Sequence, residues 1–130
     1  MGIIGEWYFI TEVEYNNDKV KEDDMSKFGL FGKFIIKEGE RDTMVDILLE
    51  AAESMNNLDD CEIYLVNISD DEPNSVYVYE VWSNENAHQA SLNLEATQTL
   101  IKRAKPIITG MERISTLKPR GGKGISPNSY

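Results

Sequence analysis

The stretch Glu62-Ile63-Tyr64-Leu65-Val66-Asn67-Ile68-Ser69-Asp70-Asp71-Glu72-Pro73-Asn74-Ser75-Val76-Tyr77-Val78-Tyr79-Glu80-Val81-Trp82 decides the fold. Its two ends are rich in β-branched and aromatic residues, and the polar run from Ser69 to Asn74 separates them. Residues 62–68 and 76–82 therefore read as the antiparallel strands of one hairpin. In the second strand Tyr77, Tyr79 and Val81 alternate with Val76, Val78 and Trp82. In the first, Ile63 and Leu65 alternate with Tyr64, Val66 and Ile68. Neither side carries the polar alternation of a sheet that faces water on one side, so both faces want burial.

Working outward, the hairpin is flanked by helical patterns. Met44, Ile47, Leu48, Ala51, Ala52 and Met55 form one apolar stripe, which predicts a helix over residues 41–56. Ahead of it, residues 30–37 read as a strand that stops at Glu38-Gly39. After the hairpin, Ser83 is placed to cap a second helix, with Ala87, Ala90, Ser91 and Leu94 on its inner side. The helical pattern continues through Leu100, Ile101 and Ala104 until Pro106, and residues 108–117 form a last strand. The order β-α-β-β-α-β is the ferredoxin-like α+β plan, a four-stranded antiparallel sheet with both helices on one face. The other face is left bare, with more apolar surface than a soluble monomer usually exposes. A second copy is its simplest cover. Two such sheets closed on each other make a dimeric α+β barrel, a homodimer with room for a small ligand.

The 130 residues suit one domain, here residues 29–117. Residues 1–28 read as an N-terminal extension, with a strand-like run over 7–13 and a polar linker. Residues 118–130 read as a basic, Gly-rich tail. With 23 acidic and 13 basic residues the net charge is −10, which repels phosphate backbones and anionic lipid, so neither a nucleic acid nor a membrane is expected as a partner. No apolar run approaches the roughly 20 residues that span a bilayer, and the start has no signal-peptide pattern, which leaves a cytoplasmic location as the default. One cysteine, Cys61, and one histidine, His88, leave no internal disulfide and no multi-Cys or His-rich metal site from a single chain. No metal is expected, and no nucleotide or hydrolase motif is present.

The segment Val78-Tyr79-Glu80-Val81-Trp82-Ser83-Asn84-Glu85-Asn86-Ala87-His88-Gln89-Ala90-Ser91-Leu92 resembles the antibiotic biosynthesis monooxygenase (ABM) family, in which a strand ends in Glu-x-Trp and a helix with Ala-His follows. Gly32-Lys33-Phe34, Lys37-x-Gly39, Ala51-Ala52 and Gly110-Met111-Glu112 extend the resemblance over about residues 29–125. It implies a dimeric barrel that oxidises quinols or anthrone-type phenols with molecular oxygen and uses no cofactor. A deprotonated, delocalised aromatic can pass one electron to dioxygen. The protein need only supply a dry pocket, a proton acceptor and donors for the anion. Some members carry an asparagine on the strand leading to the tryptophan, where this chain has Val76, Val78 and Tyr79.

Four residues are candidates for the site. His88 is the candidate catalytic base, early in a helix whose dipole favours neutral imidazole; the plainer reading has it bonding Glu85 or Asn84 or packing on Leu92. Trp82 either stacks on a planar substrate or plugs the end of the core. Glu80, on Trp82's side of its strand, is a substrate-binding residue or base with a raised pKa, or it pairs with Arg103 or Arg113. Arg103 either stabilises an oxyanion or lies on a solvated helix face. Cys61 reads as structural, and the Gly121-Gly122-Lys123-Gly124 run as an arm rather than a phosphate loop. Two other functions compete with the monooxygenase: a non-catalytic or stress-related barrel that holds a small hydrophobic ligand, and a haem-binding relative with His88 as axial ligand.

Overall fold

The computed structural model describes residues 26–125. The strand-like run at 7–13 and the end of the C-terminal tail lie outside them. The elements are β1 (Phe28–Ile36), α1 (Arg41–Ser54), β2 (Cys61–Ser69), β3 (Glu72–Trp82), α2 (Glu85–Ser91), α3 (Glu95–Ala104) and β4 (Ile108–Leu117). The four strands form one antiparallel sheet in the order β2-β3-β1-β4, the ferredoxin-like arrangement.

The helix stripe does what its spacing predicts. Met44, Ile47, Leu48, Ala51 and Met55 are buried and Ala52 is half-buried, and all but Ala52 and Met55 pack in one core with Phe34, Ile36, Val76, Val78, Leu100, Ala104 and Ile108. At the start of α1, Arg41 donates to the Ser69 carbonyl at 3.1 Å and the Glu72 carbonyl at 3.3 Å, which ties the helix to the hairpin turn. Gly39, with φ +84°, closes the preceding turn in a conformation L side chains rarely adopt.

Three local expectations change. The polar loop expected over 69–74 shrinks to Asp70-Asp71, because Ser69 pairs with Glu72. Pro73 is accommodated beside a register shift and beyond the part of β3 that pairs with β1. The cap of the helix after β3 is Asn84 rather than Ser83. Its Oδ1 accepts from the Ala87 N–H at 2.8 Å, whereas the Ser83 N–H donates to the Asp60 carbonyl. The long helix expected up to Ala104 is two helices, and at the break Thr97 donates to the Ser91 carbonyl and Gln98 to the Leu92 carbonyl. Those side chains satisfy groups that an unbroken helix would have satisfied itself. As a result, α2 buries Ser91 as the stripe predicts but also turns His88 inward and leaves Ala90 exposed, against the stripe read from a single helix.

Strand register also decides which face is which. Leu30, Phe34, Val76, Val78, Tyr64 and Val66 belong to the helix-covered core side, and Glu80 lies on the same side. Phe31, Tyr77 and Tyr79 are on the opposite face, where Phe31 stacks on Tyr77 at 6.0 Å and meets Tyr79 edge-on at 6.4 Å. Leu65 and Ile35, on that face too, are 53% and 39% exposed. At one end of this face Pro119 lies across Gly29, 3.2 Å from where a Cβ would stand.

Candidate functional site

Beyond the part of the sheet that α1 and α3 cover, β3 delivers Glu80 and Trp82 to the inner face. The Trp82 indole N–H donates to Glu80 Oε1 at 2.9 Å. The same carboxylate oxygen lies 3.9 Å from His88 Nε2, and the His88 ring packs edge-on against Trp82 at 5.9 Å and tilted against Phe28 at 5.1 Å. Trp82 and His88 are buried, and the Glu80 side chain is 13% exposed. Three of the four candidates therefore meet at one place. The fourth does not: Arg103 lies on α3, largely in solvent, where it pairs with Glu50 of α1.

Register supplies the other neighbours. Tyr64 of β2 and Leu30 of β1 are the cross-strand partners of Glu80, and Arg113 of β4 is opposite Gly32 of β1. With Phe34, Val78 and Met111 they line a cavity of about 30 Å³ that opens to solvent on one side. A volume of that size holds one or two molecules the size of water. Of these residues, the sequence singled out Arg113 only as one of two partners for Glu80. Gly32 entered only as part of the family resemblance and Tyr64 only as a strand residue, because their closeness to Glu80 depends on strand register.

The electrostatics follow from burial. Desolvation raises the Glu80 carboxyl to about 7, partly offset by the Trp82 hydrogen bond and the Arg113 charge. Desolvation lowers His88 to about 3, and the positive charge of Arg113 pushes it the same way. The imidazole is therefore neutral at pH 7, and its approach to Glu80 is a contact between a neutral ring and a half-ionised carboxyl rather than an ion pair. Tyr64 keeps its proton far above the usual range, first because it is buried and then because Glu80 and Cys61 are near. The Cys61 thiol is pushed up to about 12 by burial, which makes it a poor nucleophile, as the sequence suggested. Among the described residues no three His, Cys, Asp or Glu side chains come together to hold a metal. His88 is buried, with Phe28 and Trp82 against its ring and Nε2 toward Glu80.

A buried carboxyl poised near neutrality, an indole N–H on it and a guanidinium in the same cavity can take up a proton and hold a developing anion. The family comparison agrees in sequence as well as shape. The model of the antibiotic biosynthesis monooxygenase family matches residues 28–103. The chain belongs to this family. Among solved structures, this ABM protein is similar to a candidate antibiotic biosynthesis monooxygenase from Chloroflexus aurantiacus. The two share 33% identity over 78% of this chain and 100% of that one, with a TM-score of 0.71. A protein from Shewanella oneidensis (18% identity, 74% and 93% covered, TM-score 0.67) and one from Caulobacter crescentus (13%, 78% and 97%, 0.66) share the fold. No curated protein matches the chain. The matched segment contains Glu80, Trp82 and His88 but ends before Arg113. No helix among the described residues is long and apolar enough to cross a membrane.

Proposed function

We propose that this ABM protein is a cofactor-independent monooxygenase that oxidises a small electron-rich aromatic, of quinol or anthrone type, with molecular oxygen. The observation that carries the reading is the buried Glu80 carboxyl, held by the Trp82 N–H on a cavity it shares with Tyr64 and Arg113. A base works best when its pKa lies near the working pH, and Glu80 at about 7 meets that condition. His88, at about 3, is too weak a base for the task and serves better to wall the carboxylate from water.

In this mechanism the ring lies at the open side of the cavity, since the closed part is too small for it. Glu80 takes the substrate proton, and the Arg113 charge together with the Tyr64 hydroxyl stabilises the anion. The anion reduces dioxygen and couples with it. One oxygen atom enters the product carbonyl and the other leaves as water, all four electrons coming from the substrate.

The reading includes a homodimer, in which a second copy covers the aromatic outer face carrying Phe31, Tyr77 and Tyr79. The test is oxygen uptake by metal-free protein with hydroquinones and anthrones. Wild type consumes oxygen, Glu80→Gln falls to the buffer rate, and His88→Ala loses less. Uptake unchanged in Glu80→Gln refutes the assignment of the base. A second reading, a non-catalytic barrel for a small hydrophobic ligand, is favoured by the apolar Leu30, Phe34, Val78 and Met111 walls. It predicts ligand binding with oxygen loss at the buffer rate.

A further inference from the structure

The closed part of the cavity is too small for the ring assigned to its mouth, and its shape has an identifiable cause. On the inner face of β1 the residues alternate Leu30, Gly32, Phe34, and at Gly32 no side chain fills the space between Val78 on β3 and Arg113 on β4. A Cβ there would meet one atom within 4 Å, the Glu112 carbonyl oxygen at 3.3 Å. The Gly32 backbone is not in the left-handed region, but it adjoins a register shift with β4, where a Cβ would press on the Glu112 carbonyl. The missing side chain also leaves volume. Leu30, Phe34, Val78 and Met111 give the chamber most of its apolar wall, and Tyr64, Glu80 and Arg113 line it too.

We propose that this chamber over Gly32 is the dioxygen site, with Gly32 as the residue that keeps it open. The assignment rests on the monooxygenase reading above. Dioxygen is a neutral diatomic that makes no strong hydrogen bonds, so apolar walls admit it without the desolvation cost a polar ligand meets. A void of about 30 Å³ matches it in size while excluding an aromatic ring. Once one electron passes from the substrate anion, the guest is superoxide, and the guanidinium of Arg113 at the chamber edge stabilises it. The two radicals couple to form the C–O bond of a peroxide anion. The proton that Glu80 took from the substrate passes to that anion, and loss of water with cleavage of the O–O bond leaves the carbonyl. Atoms and electrons balance with no further reductant.

The experiment uses the full chain with xenon as the probe, since xenon is a neutral gas that settles against apolar walls. Crystals under xenon pressure show the gas beside Gly32, Val78 and Phe34, and Gly32→Ala removes it. In solution, Gly32→Ala raises the KM for dioxygen about tenfold. Anaerobic affinity for the aromatic, read by calorimetry, stays within twofold. Val78→Ile narrows the same chamber from the neighbouring strand and gives the same pattern, a control against Gly32→Ala disturbing β4 through the Glu112 carbonyl. A chamber empty of xenon in wild type overturns the proposal. So does an unchanged KM for dioxygen in both variants, or weaker aromatic binding at an unchanged KM. Wild-type protein that consumes no oxygen overturns the monooxygenase reading and the dioxygen assignment together. Uptake that is insensitive to both variants overturns the chamber alone.

Discussion

Replacing Glu80 by glutamine separates the stability cost of the buried carboxyl from its chemistry. Glutamine keeps the shape and still accepts the Trp82 N–H, but it has no proton to exchange. In the folded protein the Glu80 carboxyl sits at about 7 against an ordinary 4.5. Between these values the folded state holds a proton that the unfolded state releases, so wild-type stability falls as pH rises through the window. Below pH 4.5 there is no penalty, and above pH 7 it is fully present. At 1.36 kcal/mol per tenfold the penalty amounts to about 3 kcal/mol. His88 acts in the opposite direction. Held at about 3 against 6.5, it makes the folded state refuse a proton that the unfolded state takes, so stability falls as pH drops from 6.5 toward 3. The two effects largely cancel in the wild-type profile between pH 4.5 and 6.5, whereas the difference between wild type and Glu80→Gln isolates the carboxyl. Urea unfolding at fixed protein concentration, from pH 4.5 to 8, is the assay. Relative to wild type, Glu80→Gln gains about 3 kcal/mol across this range and loses oxygen uptake. Parallel profiles for the two proteins, or a variant that loses ground as pH rises, would refute the argument that desolvation sets the Glu80 pKa.

Three further outcomes follow from the same geometry. Trp82→Phe removes the donor on the buried carboxylate, costs about 1–3 kcal/mol in urea unfolding, and moves the acid limb of the pH–rate profile to higher pH. Arg103→Ala breaks only the exposed pair with Glu50, so the melting temperature and oxygen uptake stay near wild type; a tenfold loss of uptake would return Arg103 to the site. Tyr79→Asp places a charge on the outer face beside Phe31 and shifts the protein toward monomer in equilibrium sedimentation, while a stable variant dimer would show that this face is not the interface.

The candidate site was only partly legible in the sequence. Glu80 and Trp82 are two residues apart on a strand, so period-two alternation alone puts them on one face, and Trp82 is long enough to reach back to the carboxylate. His88 joins them through one short turn, capped by Asn84. Arg103 misled because the sequence offered one long helix from 83 to 104. The helix instead restarts at Glu95, and its basic last turn follows α3 out to Glu50. Arg113 comes from a strand distant in sequence, and Tyr64, across the hairpin from Glu80, pairs with it through a register that the expected loop over 69–74 did not fix.

The sequence by itself determined the α+β class, the strand order along the chain, the apolar stripe of α1 and the placing of Glu80 and Trp82 on one side of their strand. Each of these depends on local periodicity, which adjacent residues encode directly. Only the tertiary structure decided which sheet face meets the helices, which partners register sets opposite Glu80, and how little water reaches it. Those depend on where distant segments come to rest, and so do the burial that moves the Glu80 and His88 pKa values and the void that Gly32 leaves.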